Sequence, residues 1–243
     1  MVIGIIGREG LGKTTLADAL GRYLARDDIT AVINTDMTMP TIKQADKALR
    51  SLGHYLTLDT KQPVTPYLQQ HEKIRQLFFA GTITMDDMFS YEVDLDQAAQ
   101  AESFLQGCME EVEHVVLDVS GQRVDPFMPP VARHADALLF LTSCDAEGMN
   151  SLYAMERLLQ HVRCPVHIVL SKTQSYHDKQ EFERVSGRKV EYELPFSHEL
   201  LYAHACGREF KPEGKTGRLW DREVRRITKE QLAYRTQEDV VNG

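Results

Sequence analysis

The chain opens on an unbroken apolar run, Val2 to Ile6, closed by Gly7. A run so short, rich in β-branched residues and apolar at almost every position, predicts a strand buried on both faces, as in a parallel sheet. From Thr14 to Ala25 the period changes: Leu16, Ala19, Leu20, Tyr23 and Leu24 recur at helical spacing. ITAVINTD (29–36) then predicts a second buried strand ending in polar residues. Strand, turn, helix and strand in this order make a βαβ unit with a right-handed crossover. EHVVLDVSG (113–121), DALLFLTSCD (136–145) and CPVHIVLSK (164–172) repeat the strand signature, and KVEYELP (189–195) adds a more exposed one. Apolar spacing predicts helices between them at Gln97–Glu113, Asn150–His161 and Asp178–Ser186. The alternation implies a doubly wound α/β fold with a mainly parallel sheet of about seven strands flanked by helices. Such sheets place their sites at the carboxyl ends of the strands, so the polar residues ending these runs are the candidates.

Two stretches break the alternation. Residues 40–92 read as an insertion with helices at 41–52 and 66–80, followed by the loop ITMDDMFSYEVD (83–94). From about Gly207 the chain becomes charged and ends in a helical tail, with a helix near Leu219–Arg235. With no internal repeat and no long linker, residues 1–243 count as one domain carrying these two decorations. In the last helix, Leu219, Trp220, Val224, Ile227 and Leu232 share one face beside Arg222, Arg225, Arg226 and Lys229. Asp221, Glu223, Glu230 and Glu238 dilute that positive charge, so the helix is expected to dock on its own domain or a partner rather than on an anionic membrane.

At 42% hydrophobic and 26% charged residues, the composition is that of a globular protein and excludes disorder. The formal net charge of -8 opposes polyanions as whole-surface partners. Arg133, Arg157 and Arg163 are too dispersed to form a DNA-binding face, so neither DNA nor membrane contact is indicated. Cys108, Cys144, Cys164 and Cys206 form no CxxC pair and read as small hydrophobes in a reducing compartment. No apolar run approaches membrane-spanning length, and MVIGIIG lacks the features of a signal peptide, so the expected location is cytoplasmic.

GREGLGKT (7–14) fits the phosphate-binding pattern G-x-x-x-x-G-K-[ST] in the required place, between a strand and a helix. Backbone N–H groups from Gly7 through Gly12, including Glu9, Gly10 and Leu11, would curl round an anion, while the helix directs its positive end at it. Lys13 would bridge the β- and γ-phosphates, Thr14 would ligate magnesium, and Thr15 would reach the α-phosphate. Asp118 ends the strand EHVVLD, where a carboxylate holds the magnesium shell, and Ser120 and Gly121 begin a nucleotide-sensing loop. Asp36 ends the second strand and is the candidate for positioning an attacking water. The strand end Ser171-Lys172-Thr173-Gln174 lacks the Asn-Lys-x-Asp reader of guanine, which leaves ATP or ADP as the expected ligand, with Lys172 beside the base.

The loop, the acid closing VINTD, the DVSG segment and the series ALLFLTSCDAEGMNSL, VHIVLSK and ELPFSHELLYAHACGREF resemble the ParA/MinD family of deviant-Walker ATPases. The resemblance covers most of the chain apart from residues 53–92 and the tail. It implies an ATP-dependent homodimer, two subunits closed face to face over two nucleotides, that positions or assembles a cellular structure with a partner of unknown identity. It implies that Lys13, Thr14 and Thr15 hold phosphates and magnesium, that Asp36 positions water, and that Pro195 and its neighbours touch adenine. The family's signature loop lysine is Arg8 here, and the next residue is Glu9 instead of glycine. An arginine still reaches a partner's phosphate. Glu9 sets a carboxylate among phosphates, which brings the atypical loops of CpaE/TadZ-like pilus-assembly relatives into view. A small-molecule kinase or ligase, and a non-hydrolysing nucleotide-binding scaffold, stay open as alternatives.

Overall fold

Strand β1 (Val2–Gly7) lies between β5 (His114–Asp118) and β6 (Ala137–Thr142), parallel to both, with Gly4 level with Leu117 on one side and Leu138 on the other. In this computed structural model, which describes residues 1–37, 50–83, 95–121, 125–206 and 212–242, the strands form one eight-stranded sheet. The others are β2 (Thr30–Asn34), β3 (Gln69–Gln70), β4 (Leu77–Ala80), β7 (Val166–Thr173) and β8 (Val190–Pro195). The order is β3-β4-β2-β5-β1-β6-β7-β8, and only β3 runs antiparallel to its neighbour. Central strands are buried on both faces, which is why their sequences are unbroken apolar runs.

Helices cover each face. On one side α1 (Lys13–Leu24) and the long α8 (Gly214–Asn242) pack Leu16, Leu20, Trp220, Val224 and Ile227 against Ile3, Ile5, Val116 and Leu139. On the other lie α2 (Leu52–Leu56), α3 (Ala98–Glu111), α4 (Met128–His134), α5 (Ala146–Leu159) and α6 (Lys179–Ser186). Their Tyr55, Phe104, Val131, Leu152 and Phe182 join Ile6, Ile33 and Phe140 in a second apolar layer. The short α7 (His198–Ala205) follows β8. The alternating elements appear where the hydrophobic pattern places them, with boundaries moved by a few residues.

The segment 66–80 is not the expected helix. It forms a 3-10 turn (Thr65–Tyr67), then β3, and then β4, which pairs with β2 through Thr30–Leu77 and Ile33–Ala80. Leu77, Phe78 and Phe79 fit a helical period locally, but the open edge of β2 offers ladder bonds that override it. Residues 50–83 are therefore part of the sheet and core, with Tyr55 and Tyr67 buried, rather than a helical insertion. The helix expected at 41–52 falls largely on 38–49, outside the described residues, as does most of the loop at 83–94. The C-terminal helix is longer than expected, Gly214–Asn242 against Leu219–Arg235, and docks on its own domain. Tyr23 donates to Asp221, Arg225 Nε to Tyr23 Oη at 2.9 Å, and Tyr192 Oη to Glu230 at 2.7 Å. Among the described residues, no helix is long and apolar enough to cross a membrane.

Candidate nucleotide-binding site

The loop between β1 and α1 is shaped by its glycines. Gly7 has φ +136°, and a Cβ there would stand 2.2 Å from the Leu141 carbonyl oxygen, so the close approach of β1 to β6 excludes any side chain. Gly12, immediately before α1, has φ +84° with open space around it; its requirement is conformational, the left-handed entry into the helix. No side chain caps α1, whose first N–H groups open into the site. The Ser171 hydroxyl donates to the Leu11 carbonyl at 2.6 Å, which ties the loop to β7.

Lys13 is 8% exposed, and its ammonium donates to the Arg8 carbonyl at 3.3 Å. Burial pulls its pKa below the usual lysine value, while Asp118, Glu9, Asp36 and Asp125 act to raise it. Asp118 is buried at the end of β5, and burial pushes its carboxyl up to about 6; the Thr14 hydroxyl, Lys13 and Asn34 oppose that rise. Asn34 lies level with Asp118 in the β2–β5 ladder. Its Nδ2 donates to Asp118 Oδ2 at 2.5 Å, and its Oδ1 accepts the Asp36 amide at 2.9 Å. Asp36 lies two residues beyond the strand it was expected to end, and its carbonyl accepts the Thr82 hydroxyl at 2.8 Å.

These groups line a cavity of about 450 Å³ that holds Glu9–Thr15, Asn34, Asp36, Asp118, Ser120 and Gly121 at one end. Lys172, Leu194, Pro195, Phe196, Leu200, Leu201 and Trp220 line the other. The first end is rich in charge and backbone amides; the second is mainly apolar. Lys172 is in the left-handed region, φ 56°, where the β7–β8 register slips between Ser171 and Thr173. The structure thus brings together Glu9, Gly10, Leu11, Gly12, Lys13, Thr14, Thr15, Asp36, Asp118, Lys172 and Pro195. Gly7 shapes the turn without lining the cavity, and Arg8 does not line it either. The Arg8 guanidinium pairs with Glu147 in the first turn of α5.

Two residues at the site escape sequence reasoning. Asn34 carries a usable signal, a polar side chain in the same strand end as Asp36. Asp125 carries none that is local. It is 2% exposed and accepts from the Thr35 hydroxyl at 2.5 Å, the Ser120 amide at 3.0 Å and the Phe127 amide at 2.8 Å. Burial raises its pKa against those donors. It fastens the loop after β5 to the end of β2, so both sides of the cavity's charged end share one anchor.

A glycine-rich loop between a central parallel strand and a helix, with a carboxylate ending the neighbouring strand, defines the P-loop nucleotide-binding fold. Within it, the chain has the fold of MinD, McdA and ParA ATPases, as the sequence resemblance anticipates. It superimposes on the septum site-determining protein MinD complexed with Mg-ADP from Pyrococcus horikoshii with a TM-score of 0.75 at 13% identity, over 96% of this chain and 98% of that one. For an ATP complex of McdA from Cyanothece the values are 0.71, 16%, 96% and 96%, and for a ParA family ATPase of Chlorobium tepidum 0.67, 14%, 95% and 97%. No protein-family model and no curated protein matches the sequence.

Proposed function

We propose that this chain is an ATP- and magnesium-dependent switch of the ParA/MinD type, which pairs with a second copy when ATP is bound and parts from it after slow hydrolysis. In this reading it positions or assembles a cellular structure through a partner protein or assembly. One observation carries it: the loop amides, Lys13, the Thr14–Asp118 pair and Asp36 converge on the charged end of a single cavity whose other end is apolar. The Thr14 hydroxyl hydrogen-bonded to a buried carboxylate is a donor set suited to magnesium. When bound, magnesium neutralises charge on the phosphates. The loop amides then hold the β-phosphate, Lys13 spans the β- and γ-phosphates, and Asp36 orients a water for in-line attack. Among the described residues at the apolar end no carboxylate lines the cavity to read guanine, which supports adenine. The neighbours described above, solved with Mg-ADP and with ATP, support the same ligands.

Glu9 favours a second reading, a scaffold that binds ATP without turning it over, because its carboxylate lines the phosphate end. The kinase or ligase reading would be marked by phosphate transfer that needs an added acceptor. Titration with ATP and GTP, with phosphate release followed alongside, tests the proposal. ATP should bind at least tenfold tighter than GTP, about 1.4 kcal/mol, and release phosphate without any added acceptor. Lys13→Ala should abolish ATP binding in a folded protein. Normal ATP binding by that variant would remove the loop as the site, and binding without phosphate release would select the scaffold.

A further inference from the structure

Helix α8 supplies an apolar layer of the core, and its N-terminal part also reaches the cavity. Trp220, the chain's one tryptophan, is 5% exposed and lines the apolar end with Leu194, Pro195, Phe196, Leu200 and Leu201. The hydroxyls nearby have partners elsewhere: Ser171 donates to the Leu11 carbonyl and Ser197 to Glu199 at 2.7 Å. A planar ligand entering here therefore meets mostly hydrocarbon and ring surface, and the indole is the largest ring among the lining residues.

The position of Trp220 is set from below. Asp221 pairs with Arg225 at 2.8 Å and accepts from Tyr23 on α1. Arg226 pairs with Glu223 at 2.9 Å and reaches the Glu191 carbonyl on β8. Val224 and Ile227 are fully buried. The helix that carries the indole is thus tied to Tyr23 near the C-terminal end of α1 and to Glu191 near the start of β8.

We propose that Trp220 is the wall on which the nucleobase packs, so that ATP occupancy and the docking of α8 stabilise one another. This rests on the reading of the cavity as an ATP site. Trp220 is 5% exposed, so a base meets the small part of the indole that faces the cavity and removes water from that part.

The test uses the full chain and two ligands: ATP, and tripolyphosphate, which has the phosphates without the base. ATP should shift the emission of the single tryptophan, and tripolyphosphate should not. Trp220→Ala should weaken ATP binding about tenfold, about 1.4 kcal/mol, and leave tripolyphosphate binding unchanged, with Trp220→Phe recovering most of the loss. An emission unmoved by ATP, or moved equally by both ligands, overturns the proposal, as does a Trp220→Ala variant that binds ATP like the parent. In those cases Lys13-dependent ATP binding still stands, so only the role of Trp220 falls. A parent protein that binds no ATP by calorimetry overturns both. The emission experiment needs no substitution and decides the matter even if Trp220→Ala does not fold.

Discussion

Asn34 and Asp118 stand level in adjacent parallel strands, and the amide of one is hydrogen-bonded to the carboxylate of the other at 2.5 Å. Through its second amide atom Asn34 also holds the backbone of Asp36. One neutral side chain therefore sets the geometry of two acids to which the proposed function gives different jobs, Asp118 at the metal and Asp36 at the water.

Asn34→Ala should leave the fold in place and weaken magnesium-dependent ATP binding by about 1.5–3 kcal/mol, the range for hydrogen bonds to a charged group. Asn34→Asp should do worse, because a third carboxylate beside Asp118 and Asp36 repels both and recruits protons. Isothermal titration with and without magnesium checks this, and a larger loss for alanine than for aspartate would contradict it.

Asp118 makes stability and function pull in opposite directions. Burial raises its carboxyl from its ordinary 3.8 to about 6 in the folded, ligand-free chain. The folded state thus holds the proton more tightly than the unfolded state between those values, and stability falls as pH rises from about 4 to about 6. The full cost above that window is on the order of 2–3 kcal/mol. Denaturant midpoints from pH 4 to 8 should show the parent losing stability relative to Asp118→Asn across that window, and the variant should be more stable at pH 7. The same variant should lose magnesium-dependent ATP binding. Equal pH slopes for the two proteins would refute the assignment.

Arg8 pairs with Glu147 across an exposed surface, the side chains being 40% and 71% accessible, so the pair contributes no more than about 1 kcal/mol to stability. Glu147→Ala should leave folding and ATP binding by the single chain unchanged while strengthening the ATP-dependent dimer, because it frees the guanidinium to reach across. Arg8→Ala should weaken that dimer by about 1.5–3 kcal/mol. Sedimentation with ATP and magnesium against ADP measures both. A parent that stays monomeric under either nucleotide removes the dimer, and a dimer indifferent to Arg8→Ala removes Arg8 from it.

Asp125→Ala removes the acceptor of the Phe127 amide, and leaves the Ser120 amide to the Thr35 hydroxyl and that hydroxyl to the Asp118 carbonyl at 3.4 Å, so it should cost about 1–3 kcal/mol in chemical denaturation. Asp125→Asn keeps one acceptor and should lose less. Equal losses would show that the charge, rather than the count of acceptors, holds this corner together.

Much of this is legible in the chain. Buried parallel strands must be apolar on both faces, so β1, β2, β5, β6 and β7 announce themselves as runs, and the phosphate loop announces itself by glycine spacing. Leu77–Ala80 misleads because four apolar residues fit either period, and only the free edge of β2, far away in sequence, decides between them. Asp125 and the pairing of Asn34 with Asp118 depend on contacts spanning some 80 to 90 residues of chain, which local patterns do not encode. The face of α8 is visible as a docking surface, but that Trp220, a core residue, also lines the cavity follows only from how the helix lies on the sheet.

Ser171 grips the phosphate loop, and the next residue, Lys172, stands at the apolar end in a left-handed turn. Consecutive residues of one strand thus hold the loop and line the cavity's apolar end. That strand is paired with β6 along Leu138–Thr142, so the loop tie and the apolar end cannot move apart without disturbing the sheet. With both ends hung from one paired strand, their separation belongs to the sheet and not to whatever fills the cavity.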